Sequence, residues 1–263
     1  QMVIPCIDMK IILIGAGNLA TQLAVALQKK GMTPAYIYSR TRESAEQLSE
    51  RLRDVPYSTD ISRVPTDGDL YIFAVKDSAL LDLVSRMPSN RGLWVHTAGS
   101  MDMEVFAPYT ARYGVFYPMQ TFSKERETDF DDIPIFVETN HTDDTERLQK
   151  LAGRLSTKVY EATSEQRKYL HLAAVFACNF SNHLYALCDR ILSEHGLPFE
   201  TMLPLIRETA AKVADMPPAQ AQTGPAIRYD KNVIDKQMAL LSDPTMRQIY
   251  DLMSRSIHET NKH

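Results

Sequence analysis

Between Lys10 and Tyr160 the chain alternates short apolar runs with longer polar stretches of helical period. The runs at 11–14, 35–38, 69–75, 93–96, 115–117, 135–137 and 158–160 read as strands, and 18–30, 43–53, 78–86 and 144–155 read as helices between them. The strands are rich in Ile, Val and aromatics and lack strict alternation, as strands covered on both faces do. Strand and helix in turn imply right-handed crossovers and a doubly wound parallel sheet, an α/β Rossmann domain. From about Ser164 strand character stops, and the rest reads as an all-α C-terminal domain. The boundary is placed near 161–163, giving domains 1–162 and 163–263.

The stretch 170–188 is apolar nearly all round, interrupted by His171, Asn179, Ser181, Asn182 and His183. A helix without a polar face must be buried on all sides, so a homodimer through the C-terminal helices is expected. Pro217-Pro218 should end the helix over 199–215, and Asp243-Pro244 should start another as cap and first residue. Residues 1–8 read as a short leader or frayed terminus.

Bulk composition narrows the function classes. Of 263 residues, 44% are hydrophobic and 24% charged, with a net charge of -4, so there is no basic footprint for nucleic acid. No apolar run approaches the roughly 20 residues that cross a bilayer. Cys6, Cys178 and Cys188 form no CxxC pair, which suits a reducing, cytoplasmic setting. The seven histidines lack metal-binding spacing, so no metal is expected.

The strongest motif is Gly15-Ala16-Gly17-Asn18-Leu19-Ala20, directly after a strand and opening a helix. In that context GxGxxG/A binds a dinucleotide: the first glycine makes the turn, the second admits the pyrophosphate, and free N–H groups meet the phosphates. An ordinary tight turn, or a SAM- or flavin-binding variant, is the competing reading. The second strand ends in Ser39-Arg40-Thr41-Arg42, where an NAD site would carry a carboxylate. Arginine and hydroxyls suit a 2′-phosphate, so NADP is the expected cofactor, against two merely solvated arginines. Ala74, Val75 and Lys76 end the next strand and should pass under the cofactor's riboses. Thr97, Ala98 and Gly99 follow the one after and let the nicotinamide come close.

Ser100 offers a hydroxyl to a small-molecule substrate, and Gln120 and Thr121 could hold its carboxylate or carbonyl. His171 and Asn179 lie eight residues apart, roughly one face of an α-helix. They are candidates for general acid and orienting donor, or for satisfied core polar groups. Gln222-Thr223-Gly224-Pro225 with Arg228 and Asp230 is a further polar cluster, read more economically as a structural Arg228–Asp230 pair.

GAGNLA at 15–20, YSRT at 38–41, AVKDSAL at 74–80, HTAGS at 96–100, YPMQTF at 117–122, HLAAVFACNFSNHL at 171–184 and TGPAIRYD at 223–230 together resemble one family. It is the Rossmann-like NADP oxidoreductase family with a DUF2520 C-terminal domain, similar to pyrroline-5-carboxylate reductase, F420-dependent NADP oxidoreductases and, more distantly, β-hydroxyacid dehydrogenases. The resemblance implies NADP at Gly15, Gly17, Asn18, Leu19, Ser39 and Arg40, and a dimer through the C-terminal helices. The lysine of the β-hydroxyacid dehydrogenases is replaced by His171, and Val175 stands where their asparagine would be. The resulting expectation is an oxidoreductase moving hydride between NADPH and a small ketone or imine. The alternative is a non-catalytic NADP-binding sensor or scaffold.

Overall fold

The computed structural model describes residues 9–261, and the leader read at 1–8, with Cys6, lies outside them. The chain divides into two compact units, 1–178 and 179–263.

In the first unit the elements run β1 (Ile11–Ile14), α1 (Asn18–Lys29), β2 (Tyr36–Tyr38), α2 (Arg42–Arg51), β3 (Tyr57–Ser58), β4 (Leu70–Phe73), α3 (Asp77–Arg86), β5 (Leu93–His96), β6 (Tyr113–Pro118), β7 (Ile135–Thr139), α4 (Thr142–Leu155), β8 (Val159–Glu161) and α5 (Ser164–Ala174). They form one sheet in the order β3-β2-β1-β4-β5-β6-β7-β8. The first six positions reproduce the 3-2-1-4-5-6 order of the Rossmann fold. All pairs are parallel except β6 with β7.

The sheet is thus the expected doubly wound one, mostly parallel, with its single reversal at β6–β7. No helix intervenes between β6 and β7, and without a crossover helix the chain returns antiparallel. Two-residue β3 was too short to leave a pattern.

Side chains alternate between two cores. Ile11, Leu13, Ile72, Val95 and Phe116 face one, with Leu23 and Leu27 of α1 and Leu148 and Leu151 of α4. Ile12, Ile14, Tyr71, Phe73 and Trp94 face the other, with Leu80 and Val84 of α3. Both faces are covered, so period-2 alternation is invisible in the sequence. Each such aliphatic side chain contributes about 1.5–3 kcal/mol by leaving water. α1 shows the matching helical spacing: Ala20, Leu23, Ala24 and Leu27 are buried, and the helix stops before Gly31 at φ +75°.

α5 opens with a capping box, Thr163 and Gln166 each closing on the other's backbone. It runs into a π-helical turn, Val175–Phe180. The second unit holds α6 (Ser181–Glu194), α7 (Leu203–Asp215), α8 (Pro218–Ala221), α9 (Lys231–Ala239) and α10 (Pro244–Thr260). Asp243 caps α10 through Thr245 N and Met246 N and accepts from Arg190 at 2.6 Å. That arginine and these bonds hold the Asp243 carboxyl below its usual range. Asp230 caps α9 and accepts from Val233 N at 3.4 Å. No ion pair joins it to Arg228 among the described residues, because capping takes the carboxylate instead.

The apolar stretch from 170 to 188 is not buried within the chain: Leu172 is 54% exposed and Leu184 38%.

Candidate active site

β1, β4, β5 and β6 run parallel, so their carboxyl ends lie along one edge of the sheet, where open α/β sheets bind ligands. Gly15 makes the first turn there at φ +126°. A Cβ on it would lie 2.2 Å from the Ala74 carbonyl oxygen, so only glycine lets the β1 turn pass the end of β4. Gly17 is different. It caps α1, is exposed, and a Cβ on it would meet nothing within 4 Å. No side chain caps α1, and its first turn carries no acid. The free amides after Gly17 are therefore open to an anion. Ala16 is buried, Leu19 half-buried, and Asn18 Nδ2 donates to the Phe122 carbonyl at 3.2 Å. Gln22, two residues beyond Ala20, donates to the Ser123 carbonyl at 2.7 Å and accepts from Thr128 N at 3.1 Å. These bonds fasten the β6–β7 connection across α1.

At the end of β2, Ser39 is buried, with its amide on the Ser58 carbonyl. Thr41 caps α2 without a side-chain bond. Arg42 is taken by Glu46 at 2.7 Å. Arg40 is exposed and makes no hydrogen bond or ion pair among the described residues. The two neighbouring arginines are thus unequal: one holds its own helix, the other is available.

Ala74 is buried beside Gly15, Val75 is half-buried, and Lys76 is an exposed cap of α3. Thr97 is buried against the Phe73 carbonyl, and the Ala98 amide donates to His96 Nδ1 at 3.2 Å. Ser100 does not stand free, because its hydroxyl donates to Asp77 at the start of α3. Gln120 is exposed and turns its Oε1 onto the Thr121 amide at 2.9 Å.

His171 meets the sheet. Its Nδ1 lies 3.2 Å from the Tyr117 hydroxyl, with the rings edge to face at 66°. Tyr117 is buried at the end of β6, and burial pushes its pKa up. Gly99 lies directly beside the imidazole, since a Cβ there would come within 2.5 Å of Nδ1. Asn179 is exposed and lies within the π-helical turn. The α-helical count that set it on one face with His171 does not carry through that turn.

The sequence reading missed three groups around this point: Tyr117 as partner of His171, Asp77 as partner of Ser100, and buried Arg167. The only available signal was position: Tyr117 ends a strand, Asp77 follows one, and Arg167 stands four residues before His171.

Strand order and a glycine crossover of this geometry define a protein of the Rossmann class. Residues 4–119 match the Rossmann-like domain family, and residues 133–257 match the domain of unknown function DUF2520. A presumed NADP oxidoreductase from Bacteroides fragilis is 52% identical over 96% of this chain and 98% of its own, with a TM-score of 0.89. A Thermotoga maritima protein is 23% identical over 95% of this chain and 99% of its own, with a TM-score of 0.77. A reductive aminase from Aspergillus terreus in complex with NADPH and ethyl levulinate shares the fold at 16% identity, covering 96% of this chain and 95% of its own, with a TM-score of 0.74. No curated protein matches significantly. The chain belongs to the family of Rossmann-like proteins with a DUF2520 domain.

Proposed function

We propose that this protein is an NADPH-dependent reductase of a small ketone or imine. The observation that supports it is a proton-bearing pair, Tyr117 with His171, on the sheet edge that also carries the Gly15 turn. The Bacteroides relative, a presumed NADP oxidoreductase, and the fold shared with a reductase holding NADPH point the same way.

The amides opening α1 fit a pyrophosphate, since Gly17 leaves the approach clear and no protein group fills it. Arg40 fits the 2′-phosphate, with the Ser39 and Thr41 hydroxyls beside it. Bound there, NADPH would supply the hydride. The chain's own residues must orient the substrate and give one proton. In this reading the Tyr117 hydroxyl donates to His171 Nδ1 and so leaves the imidazole proton on Nε2. Nε2–H then gives its proton to the carbonyl oxygen or imine nitrogen as Nδ1 takes the Tyr117 proton, so the ring stays neutral and solvent returns a proton to the tyrosine. Ser100, held by Asp77, and Gln120 orient the substrate in this reading.

A homodimer through the C-terminal helices belongs to the same reading. The second unit has few buried apolar residues, and Leu205, Leu240 and Leu252 are more than half exposed. Sedimentation at micromolar concentration should give twice the chain mass, and a clean monomer would refute the dimer.

The test of the reaction is NADPH oxidation against a panel of small keto acids and cyclic imines. Turnover by the parent protein, lost in His171→Ala with NADPH affinity intact, is the expected result. A His171→Ala protein of full rate removes His171 from the chemistry. NADPH binding without turnover on any substrate leaves a sensor rather than an enzyme.

A further inference from the structure

Arg167 is the only arginine whose side chain is almost wholly buried among the ion pairs of the described residues, at 1% exposure. It stands on α5 one turn before His171, so the two share a face of the helix. All three of its guanidinium nitrogens are bonded. Nε donates to the Ala98 carbonyl at 3.3 Å, Nη1 to Glu138 Oε2 at 2.9 Å, and Nη2 to the Met101 carbonyl and to Ser164 Oγ. Ser164 Oγ donates to Glu138 at 2.7 Å and accepts from the Met103 amide at 3.2 Å. The backbone at Ala98, Met101 and Met103 is thus strapped to the start of α5, with a carboxylate of β7 as countercharge. The same loop is held from beneath by His96, whose ring nitrogens meet the Ala98 amide and the Asp102 carbonyl.

Gly99 sits between the strapped residues, against the His171 ring. A buried ion pair is a poor source of net stability, since desolvation offsets its attraction. A planar fork that ties two backbone carbonyls to a helix instead fixes a distance. We propose that Arg167, with Glu138, is a positioning residue: it sets the separation between the 98–101 loop and α5, and so seats the His171 imidazole against Gly99 and onto the Tyr117 hydroxyl. This rests on His171 being the proton donor only for its consequence in turnover. The seating itself is a property of the chain alone.

The test is nitrogen NMR of protein labelled at histidine, without cofactor, with the His171 signals assigned by their loss in His171→Gln. In the parent, the two His171 ring nitrogens should resonate far apart, as for one fixed neutral tautomer. In Arg167→Met/Glu138→Leu, which removes both buried charges together and keeps apolar volume, they should move toward each other. Arg167→Lys, which keeps charge but loses the fork, should do the same more weakly. With NADPH and 1-pyrroline as probe, turnover should fall about a hundredfold in the double variant, as for an ångström-scale misplacement. NADPH affinity should stay unchanged. If the folded double variant keeps the parent's nitrogen pattern, the proposal is overturned. If the pattern changes but His171→Ala turns over at full rate, the seating stands and the proton-donor reading falls.

Discussion

Replacing His96 by glutamine should remove most of one acid-driven loss of stability. The imidazole is fully buried at the end of β5 beside Phe106, 5.7 Å between ring centroids. Its Nε2–H donates to the Asp102 carbonyl at 3.3 Å, and Nδ1 accepts from the Ala98 amide, so the neutral ring is satisfied on both sides. A second proton would have to displace the Ala98 donor and sit without solvent near Arg167. Burial first, and the Arg167 charge second, push its pKa from 6.5 down to about 4. Between those values the unfolded chain binds the proton and the fold does not, so stability is full above pH 6.5 and falls as pH drops toward 4. The gap corresponds to about 3 kcal/mol, of which about 2 kcal/mol is lost by pH 5. The assay is urea denaturation of parent and His96→Gln at a series of pH values, taking the difference so that carboxylates common to both cancel. The parent should lose about 2 kcal/mol more than the variant between pH 7.5 and 5. Parallel curves would show that His96 takes up its proton in the fold as easily as in water, and would refute the reasoning.

Arg40→Glu should weaken NADPH about tenfold to a hundredfold, the worth of a charge-assisted bond lost, and make NADH the tighter ligand by calorimetry. Equal affinity of the parent for both would defeat it. Gly15→Ala should lower the unfolding free energy by at least about 3 kcal/mol in urea denaturation, because it combines positive-φ strain with a clash on the backbone of β4. Gly99→Ala should instead spare most stability and depress turnover, since the added methyl strikes the His171 ring. A rate equal to the parent's would show that the ring seat is irrelevant.

What could be read from the residues alone follows from range. The Rossmann halves were legible because strand, turn and helix signals are local: Ile11–Ile14 feeding Gly15 and Gly17 declares its own geometry. So does the capping of α10 by Asp243. The antiparallel β7 was not legible, because the direction of a strand depends on what the preceding connection does. Neither was the π-helical turn after α5, since no residue type in Val175–Phe180 demands it, yet it breaks the count from His171 to Asn179.

The candidate site divides along the same line. Its anion-binding half is made of backbone within a few residues of one motif. Its proton-handling half joins residues 54 positions apart, Tyr117 and His171, through a loop fixed by Arg167 from 69 positions beyond Ala98. Such a site exists only once the sheet edge and α5 have met. In the proposed mechanism the Tyr117 hydroxyl donates to Nδ1, which commits Nδ1 as acceptor and leaves Nε2 as the outward proton. Phenylalanine at Tyr117 would keep the packing and lose that commitment. Tyr117→Phe should accordingly leave the unfolding free energy within about 1 kcal/mol of the parent's while lowering turnover about tenfold, as for one lost hydrogen bond. An unchanged rate would mean the tyrosine is packing and nothing more.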